Sequence, residues 1–519
     1  MKILVTEGDT RLHEALLKVL SDEYSVRTLS RDELLEPDKL KEVIIGCDAI
    51  LHLMSTASEL GDDFQTLDLV CRGTFNLMTA AKEAGIDKVI VGSSLALFDR
   101  HPASWKVDEQ WRPRPQPIIE ELIPWLAELS VREGTRAPAT QVACLRFGKI
   151  VTEEQSHTLP YDSRWLHIED AVQAIHNALK FVAREESHKS WHVFHITAKG
   201  NGAKIRLGRA RNSQIGYDPQ HDFADQKARA MENDLSSSDP NISSKPWRET
   251  LCPVDAIPSR PIKKVVIFGA GGPVAAEIVR LLAPHYTLRI TDLKPIAEII
   301  SENKRQSEFA PMPTLFGEPH ETIQVDVRDA KQVEAACEGM DAIINCTVLR
   351  HDPVLAFHVN TIGAYHVGLA AVKHRIRRVV HTGPQMLTLA HLEGYAGLYD
   401  IPGNAPLRPG INLYGHSKYL GQEILRTFAE AYGLEVPVLL YSQFVNAEQD
   451  KWLHAMAITW GDSATALKCA LEVTSLPSPY EVMHILADLP HEEFSPRRAW
   501  EILGWRSKED MQHIWEREN

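Results

Sequence analysis

The sequence predicts an α/β chain, with two doubly wound parallel sheets following one another. Three observations carry this expectation. At 519 residues the chain exceeds one ordinary domain and suits two large ones. It repeats its own plan, so one layout serves twice. Within each copy, short apolar β-branched runs alternate with helical patterns, the signature of parallel strands joined by crossover helices.

The repeat is legible in paired motifs. Lys2-Ile-Leu-Val matches Lys264-Val-Val-Ile, and Gly46-Cys-Asp48-Ala-Ile matches Gly339-Met-Asp341-Ala-Ile. Asp87-Lys-Val-Ile-Val matches Arg377-Arg-Val-Val-His, and Asp170-Ala-Val-Gln-Ala matches Asp462-Ser-Ala-Thr-Ala. Val193-Phe-His-Ile matches Val482-Met-His-Ile, and Gly216-Tyr217 matches Gly504-Trp505. Paired positions lie 262 residues apart at the start and 288 to 293 apart thereafter. One insertion of roughly 30 residues in the second copy, around 296–320, accounts for the jump. The expected domains are 1–219 and 262–519. Between them, 220–261 reads as a linker, being polar and broken by Pro, Ser and Asp.

In the second copy the expected strands are Val265–Phe268, Thr287–Thr291, Ile323–Val325, Ala342–Asn345, Arg378–His381 and Val436–Tyr441. Helices are expected over Pro273–Leu282, Ala330–Cys337, Thr361–His374 and Tyr414–Ala431.

Composition excludes several classes. The chain is 44% hydrophobic and 24% charged, so it is neither disordered nor fibrous. Lys and Arg number 56 against 70 Asp and Glu, a net charge of −14 with no long basic run, which argues against nucleic-acid and anionic-membrane partners. No apolar stretch of the ~18 residues of a membrane span stands out. Seven scattered cysteines, with no Cys-x-x-Cys, point to a reducing cytoplasmic setting. No metal ligands are expected, because the 23 histidines show no ligand spacing.

The chemistry concentrates in the second copy. The first strand enters Gly269-Ala-Gly-Gly272-Pro273-Val274-Ala275 and then a helix. Gly269 permits a tight turn, Gly272 lets a pyrophosphate approach the backbone, and the small Ala275 lets helix pack on strand. Phosphates would face the open N–H groups at the helix start, although Pro273 removes one of them. Asp292 ends the next strand, where a carboxylate accepts from ribose hydroxyls and repels a 2′-phosphate, which favours NAD over NADP. Asp326 and Val327 follow the third strand, where an adenine would rest. Tyr414 and Lys418 form an i, i+4 pair on one helix face, with the ammonium expected to lower the phenol's pKa. Such a phenol exchanges a proton with a carbinol or carbonyl oxygen while hydride moves to or from nicotinamide.

These motifs, with Asn360-Thr-Ile-Gly363, the Asp462 segment and the terminal Phe494-Ser-Pro-Arg-Arg-Ala-Trp run, make the chain resemble the extended short-chain dehydrogenase/reductases, also called the NAD-dependent epimerase/dehydratase family. The resemblance implies two tandem Rossmann-like domains, each with a small C-terminal substrate subdomain. It implies NAD as cofactor, Tyr414 as acid/base, Lys418 on the nicotinamide ribose, and Asn345, Cys346, Thr347 and Asn360 near the cofactor. The family's Ser or Thr after the fifth strand is replaced by Pro384, a loss worth ~10²–10³ in rate for one donor. Thr382 or a neighbour substitutes, or the domain is slow.

The first copy reads as a degenerate cofactor site. By constant offset its glycine positions fall on Glu7, Thr10 and His13, and its Tyr and Lys positions on Ile119 and Ile123. The function expected is hydride chemistry at a carbinol or carbonyl, as a dehydrogenase, epimerase or dehydratase acting on a small molecule, with a sugar or nucleotide-sugar as one class. The alternative is a weak or inactive nucleotide-binding pseudoenzyme serving as sensor or scaffold. The two halves are expected to pair as a pseudo-dimer within one chain.

Overall fold

A computed structural model describes the chain except residues 54–59, 103–104, 136–139, 182–190, 200–203, 213–214, 236–255, 305–306, 386–399, 449–452, 492 and 516–519. It divides into two compact units, Met1–Leu251 and Cys252–Asn519.

The first unit holds β1 (Lys2–Thr6), β2 (Ser25–Leu29), β3 (Ala49–His52), β4 (Lys88–Ser94), β5 (Gln141–Phe147) and β8 (Trp191–Ile196), in the order β2-β1-β3-β4-β5-β8 and all parallel. The short strands β6 (Lys149–Val151) and β7 (Trp165–His167) pair separately. Successive side chains of a strand point to opposite faces. Thus Ile3 and Val5 pack under helices Thr10–Glu23 and Ile168–Lys180, while Leu4 and Ile50 pack under Pro37–Ile44 and Thr74–Glu83. A sheet buried on both faces requires unbroken apolar runs, which is why the strands read so clearly in the sequence.

The second unit follows the same plan with one strand more. Its sheet contains β9 (Lys264–Phe268), β10 (Thr287–Asp292), β11 (Glu321–Gln324), β12 (Ala342–Asn345), β13 (Arg378–Pro384), β15 (Val436–Tyr441) and β18 (Tyr480–His484), ordered β11-β10-β9-β12-β13-β15-β18. The small pairs β14–β19 (Ile401–Pro402, Phe494–Ser495) and β16–β17 (Gln443–Val445, Ala457–Thr459) stand apart from it. The second unit adds helix Ile296–Glu302 and the edge strand β11, for which the first unit's sheet has no equivalent. That strand lies at 321–324 and not at the expected 323–325. All four of its residues are exposed, so no apolar run marks it.

Equivalent positions of the two units do equivalent work. Asp48 and Asp341 each accept the backbone N–H that opens the first strand, at 2.6 and 2.9 Å. Asp170 and Asp462 each hold two consecutive loop amides, those of Gln220 and His221 and those of Lys508 and Glu509.

Two expectations need correction here. The start of the expected linker forms a helix, Ala224–Leu235, because Ala, Gln, Lys, Arg, Met and Glu are good helix formers and Asp222 accepts the Ala224 N–H. Residues 236–255 of that linker lie outside the described residues. The run Leu355–Lys373 is, by length and composition, apolar enough to cross a membrane, but 72% of its window is buried inside the unit. Its scattered histidines and Asn360 hid it from a search for unbroken apolar stretches.

The glycine-turn equivalents also differ from constant-offset counting. The first unit's turn has three residues, 7–9, where the second has four, 269–272. Asp9 therefore stands as N-cap of Thr10–Glu23, its carboxylate accepting from the Arg11 and Leu12 amides at 3.1 Å each. The charge that a phosphate would bring to this helix start is already covalently present. Replacing Asp9 with Ala is expected to cost about 1 kcal/mol of stability in urea unfolding, the ordinary worth of an N-cap.

Candidate active site

In the second unit the strand order reverses between β9 and β12, and crevices at such switch points take ligands beyond the carboxyl ends of the strands. The glycine turn lies there. Gly269 has φ +76°, and a Cβ on it would come within 3.0 Å of the Cys346 and Thr347 backbone, so only glycine fits. Gly272 caps helix Pro273–Leu282 with no side-chain cap, and a Cβ there would meet nothing closer than the Gly269 oxygen at 3.5 Å. This open space before uncapped helix amides is where a pyrophosphate fits.

Asp292, ending β10, accepts the Gly271 N–H at 2.8 Å. Burial pushes its carboxyl up, while backbone N–H groups of Gly271, Leu293 and Lys294 hold it down. Gly271, an unassigned position of the motif, proves essential to this approach. A Cβ on it would fall 3.0 Å from the Asp292 carboxylate and 2.4 Å from Ile299.

A cavity of about 290 Å³ adjoins the turn, with Val274, Cys346, Arg350, Thr382, Pro384, Tyr414 and Lys418 in its wall. Tyr414 and Lys418 come from helix Leu413–Tyr432, which Asn412 caps by accepting the Gly415 N–H at 2.8 Å. Lys418 is fully buried and donates to the Thr347 carbonyl at 3.1 Å. Burial pulls its ammonium down to about 7. The Tyr414 phenol is raised by burial, not lowered as expected, and the cation that opposes the rise is Arg350. The Arg350 guanidinium lies 5.3 Å from the Tyr414 ring centroid. Lys418 turns instead toward the loop after β12, where the Thr347 carbonyl accepts its hydrogen bond. Arg350 was not foreseen, because it sits in an irregular loop 64 residues before Tyr414.

Thr382 lines the cavity and donates to the Asn345 carbonyl at 3.2 Å. Pro384 shares the wall without a donor. The other expected cofactor residues are engaged within the protein. Asn345 is 1% exposed, its Oδ1 accepting from the Thr347 amide at 3.1 Å and hydroxyl at 2.7 Å. Asn360 joins Leu349, by both its N–H and its carbonyl, to the Ser417 hydroxyl, and so pins the β12 loop to the Tyr414 helix. The Asp326 carboxylate is paired with Arg328, which holds it below the usual range. Val327 gives its carbonyl to His366. None of these four lines the cavity.

The corresponding cavity of the first unit, about 370 Å³, has other chemistry in its wall: Asp9, Ser94, Glu120, Pro124 and Lys149. Helix Ile119–Gly134 begins one residue later than the constant offset assumed. Glu120 and Pro124 therefore stand where the second unit has Tyr414 and Lys418, in place of Ile119 and Ile123.

Residues 265–459 match the model of the NAD dependent epimerase/dehydratase family. Uronate dehydrogenase of Pseudomonas putida is 30% identical over 174 residues, 32% of this chain and 59% of that protein. L-arabinose 1-dehydrogenase (NAD(P)(+)) of Haloferax volcanii is 25% identical over 270 residues, 48% of this chain and 97% of that one. Among solved structures, uronate dehydrogenase from Agrobacterium tumefaciens is 20% identical, with 49% of this chain and 88% of that one covered at a TM-score of 0.39.

Proposed function

We propose that the second unit, whose residues 265–459 match the NAD dependent epimerase/dehydratase family, is an NAD-linked dehydrogenase acting on a sugar carbinol or carbonyl. The observation that carries this reading is one wall holding Tyr414, Lys418, Thr382 and Arg350 beside an uncapped glycine turn.

Gly269, Gly272 and Val274 would hold the pyrophosphate, Asp292 the adenosine ribose, and Lys418 the nicotinamide ribose. NAD, when bound, supplies the hydride acceptor or donor. In oxidation, Tyr414 takes the hydroxyl proton from the substrate as the carbon gives up hydride; in reduction it returns that proton. Thr382 faces the same space, and its hydroxyl, which donates to the Asn345 carbonyl, would have to turn from it to hydrogen-bond the reacting oxygen in place of Pro384. Arg350 presents a cation to the substrate side of the phenol, which suits an anionic sugar such as a uronate. The named relatives are dehydrogenases, so an inactive sensor finds no support among them. The first unit, with its self-capped helix and without a Tyr/Lys pair, is read as a partner that binds no dinucleotide.

Calorimetry tests the cofactor assignment. One NADH is expected to bind per chain, with NADPH much weaker. Asp292→Ala is expected to erase most of that preference, because the carboxylate is what repels a 2′-phosphate. Equal binding of both cofactors to the unaltered chain, or two NADH per chain, would contradict it.

A further inference from the structure

Above neutral pH, one side chain in the wall of the second unit's cavity carries a charge. The titratable groups there are Cys346, Arg350, Tyr414, Lys418 and Tyr441, and among the described residues no carboxylate joins them. Burial pushes the Cys346 thiol up to about 12 and the Tyr441 phenol well above its usual range, so both stay neutral. Burial, with Arg350 adding to it, pulls Lys418 down to about 7. Arg350 is then the cation that the cavity keeps.

The protein leaves this cation without a counter-ion. Arg328 of the same unit is tied to Asp326 at 2.6 Å, whereas among the described residues no carboxylate pairs with Arg350. Asp352, two residues on, gives its carboxylate to the Val354 and Leu355 amides at 2.9 and 2.8 Å.

The backbone that carries Arg350 is nevertheless fixed. Asn360 accepts the Leu349 N–H at 3.0 Å and donates to the Leu349 carbonyl at 2.7 Å. The same amide donates to the Ser417 hydroxyl at 2.9 Å, on the helix that bears Tyr414. Arg350 is thus anchored at its base to the catalytic helix, while its exposed side chain is free to swing. As folded, the guanidinium lies 5.3 Å from the Tyr414 ring centroid, a cation–π distance. Burial raises the Tyr414 phenol, and the charge that opposes the rise is that of Arg350. A planar guanidinium with five N–H donors can serve two anions, a phenolate on one side and a carboxylate on the other.

On the reading of the second unit as a sugar dehydrogenase, we propose that Arg350 is a shared cation, which holds the ionised Tyr414 phenol when the substrate is neutral and turns to the carboxylate when the substrate is an anionic sugar. Its one charge then links substrate choice to the pH range of turnover. With a neutral sugar the whole charge stays on the phenol, which ionises at lower pH. With an anionic sugar the carboxylate takes a share of the charge, so binding is tighter and the phenol ionises at higher pH.

Two measurements on the full chain test this. Ultraviolet difference titration of tyrosinate, unaltered chain against Tyr414→Phe with NAD⁺ present, isolates Tyr414 without any substrate. Arg350→Met should raise its apparent pKa by about 1, and Arg350→Lys, which keeps the charge, should leave it close to the unaltered value. Steady-state oxidation is then followed against pH with D-galacturonate and with neutral D-galactose. Arg350→Met should raise the KM for D-galacturonate at least ~10-fold and leave that for D-galactose unchanged. In the unaltered chain the rising limb should lie at higher pH for D-galacturonate, and in Arg350→Met the two limbs should coincide. Arg350 is exposed, and circular dichroism checks that its variants stay folded. A Tyr414 titration unmoved in Arg350→Met, or a D-galacturonate KM unchanged in it, overturns the shared cation. Turnover of neither sugar by the unaltered chain defeats the sugar-dehydrogenase reading instead, and the substrate-free titration still decides whether Arg350 governs the phenol.

Discussion

Replacing Tyr414 with phenylalanine is expected to lower kcat for NAD-linked turnover about 10³-fold while leaving NADH affinity unchanged. The substitution keeps the ring over which the Arg350 guanidinium lies and removes only the hydroxyl that exchanges the proton. Its effect therefore falls on chemistry and not on packing. In the oxidative direction the ionised phenol is the base, so the wild-type rate should climb with pH through the Tyr414 pKa, which burial has raised. The variant should lose that limb. Steady-state assays with the cofactor titrated calorimetrically check both halves, and full activity in the variant would remove Tyr414 from the proton path.

Lys418→Met is expected to make the ligand-free second unit more stable near neutral pH, in spite of abolishing turnover. The reasoning is linkage. Burial lowers the lysine from its ordinary 10.5 to about 7, so between those values the unfolded chain binds the proton that the folded chain has released. Stability then rises with pH across that window, and the cost is fully present below about pH 7 and gone above 10.5. At neutral pH this amounts to roughly 4 kcal/mol. The lost hydrogen bond to the Thr347 carbonyl gives back about 1 kcal/mol of it. The net gain should appear in thermal melts as a rise of roughly 5–10 °C at pH 7 that vanishes near pH 10.5. A variant no more stable at pH 7 would mean that the buried ammonium is better solvated than its surroundings indicate.

Much of the architecture was legible because it depends on local pattern. Ala342–Asn345, Val436–Tyr441, Pro273–Leu282 and Ala330–Cys337 form over the residues anticipated. The two strands are interior to the sheet and buried throughout, the first helix has proline at its opening position, and Asp329 caps the second. The glycine turn, Asp292 and the Tyr414/Lys418 pair were legible for a similar reason: each is a residue type at a fixed distance from a strand or helix end. Where legibility failed, the local signal was absent. β11 is an exposed edge, and helix Ala224–Leu235 lies in a segment whose polarity suggested a linker. The first unit's turn is one residue shorter than offset counting can detect.

The sequence by itself thus determined the parallel sheets, the switch-point turn and the helix that carries Tyr414, since periodicity and end signals are local properties of the chain. Tertiary structure alone decided which cation meets Tyr414, which carbonyl accepts the Lys418 hydrogen bond, and that Asn345 and Asn360 are consumed in holding the site together. The reason is physical: charges and hydrogen bonds act over a few ångströms of space, and separation along the chain does not determine which groups loop closure brings within that range.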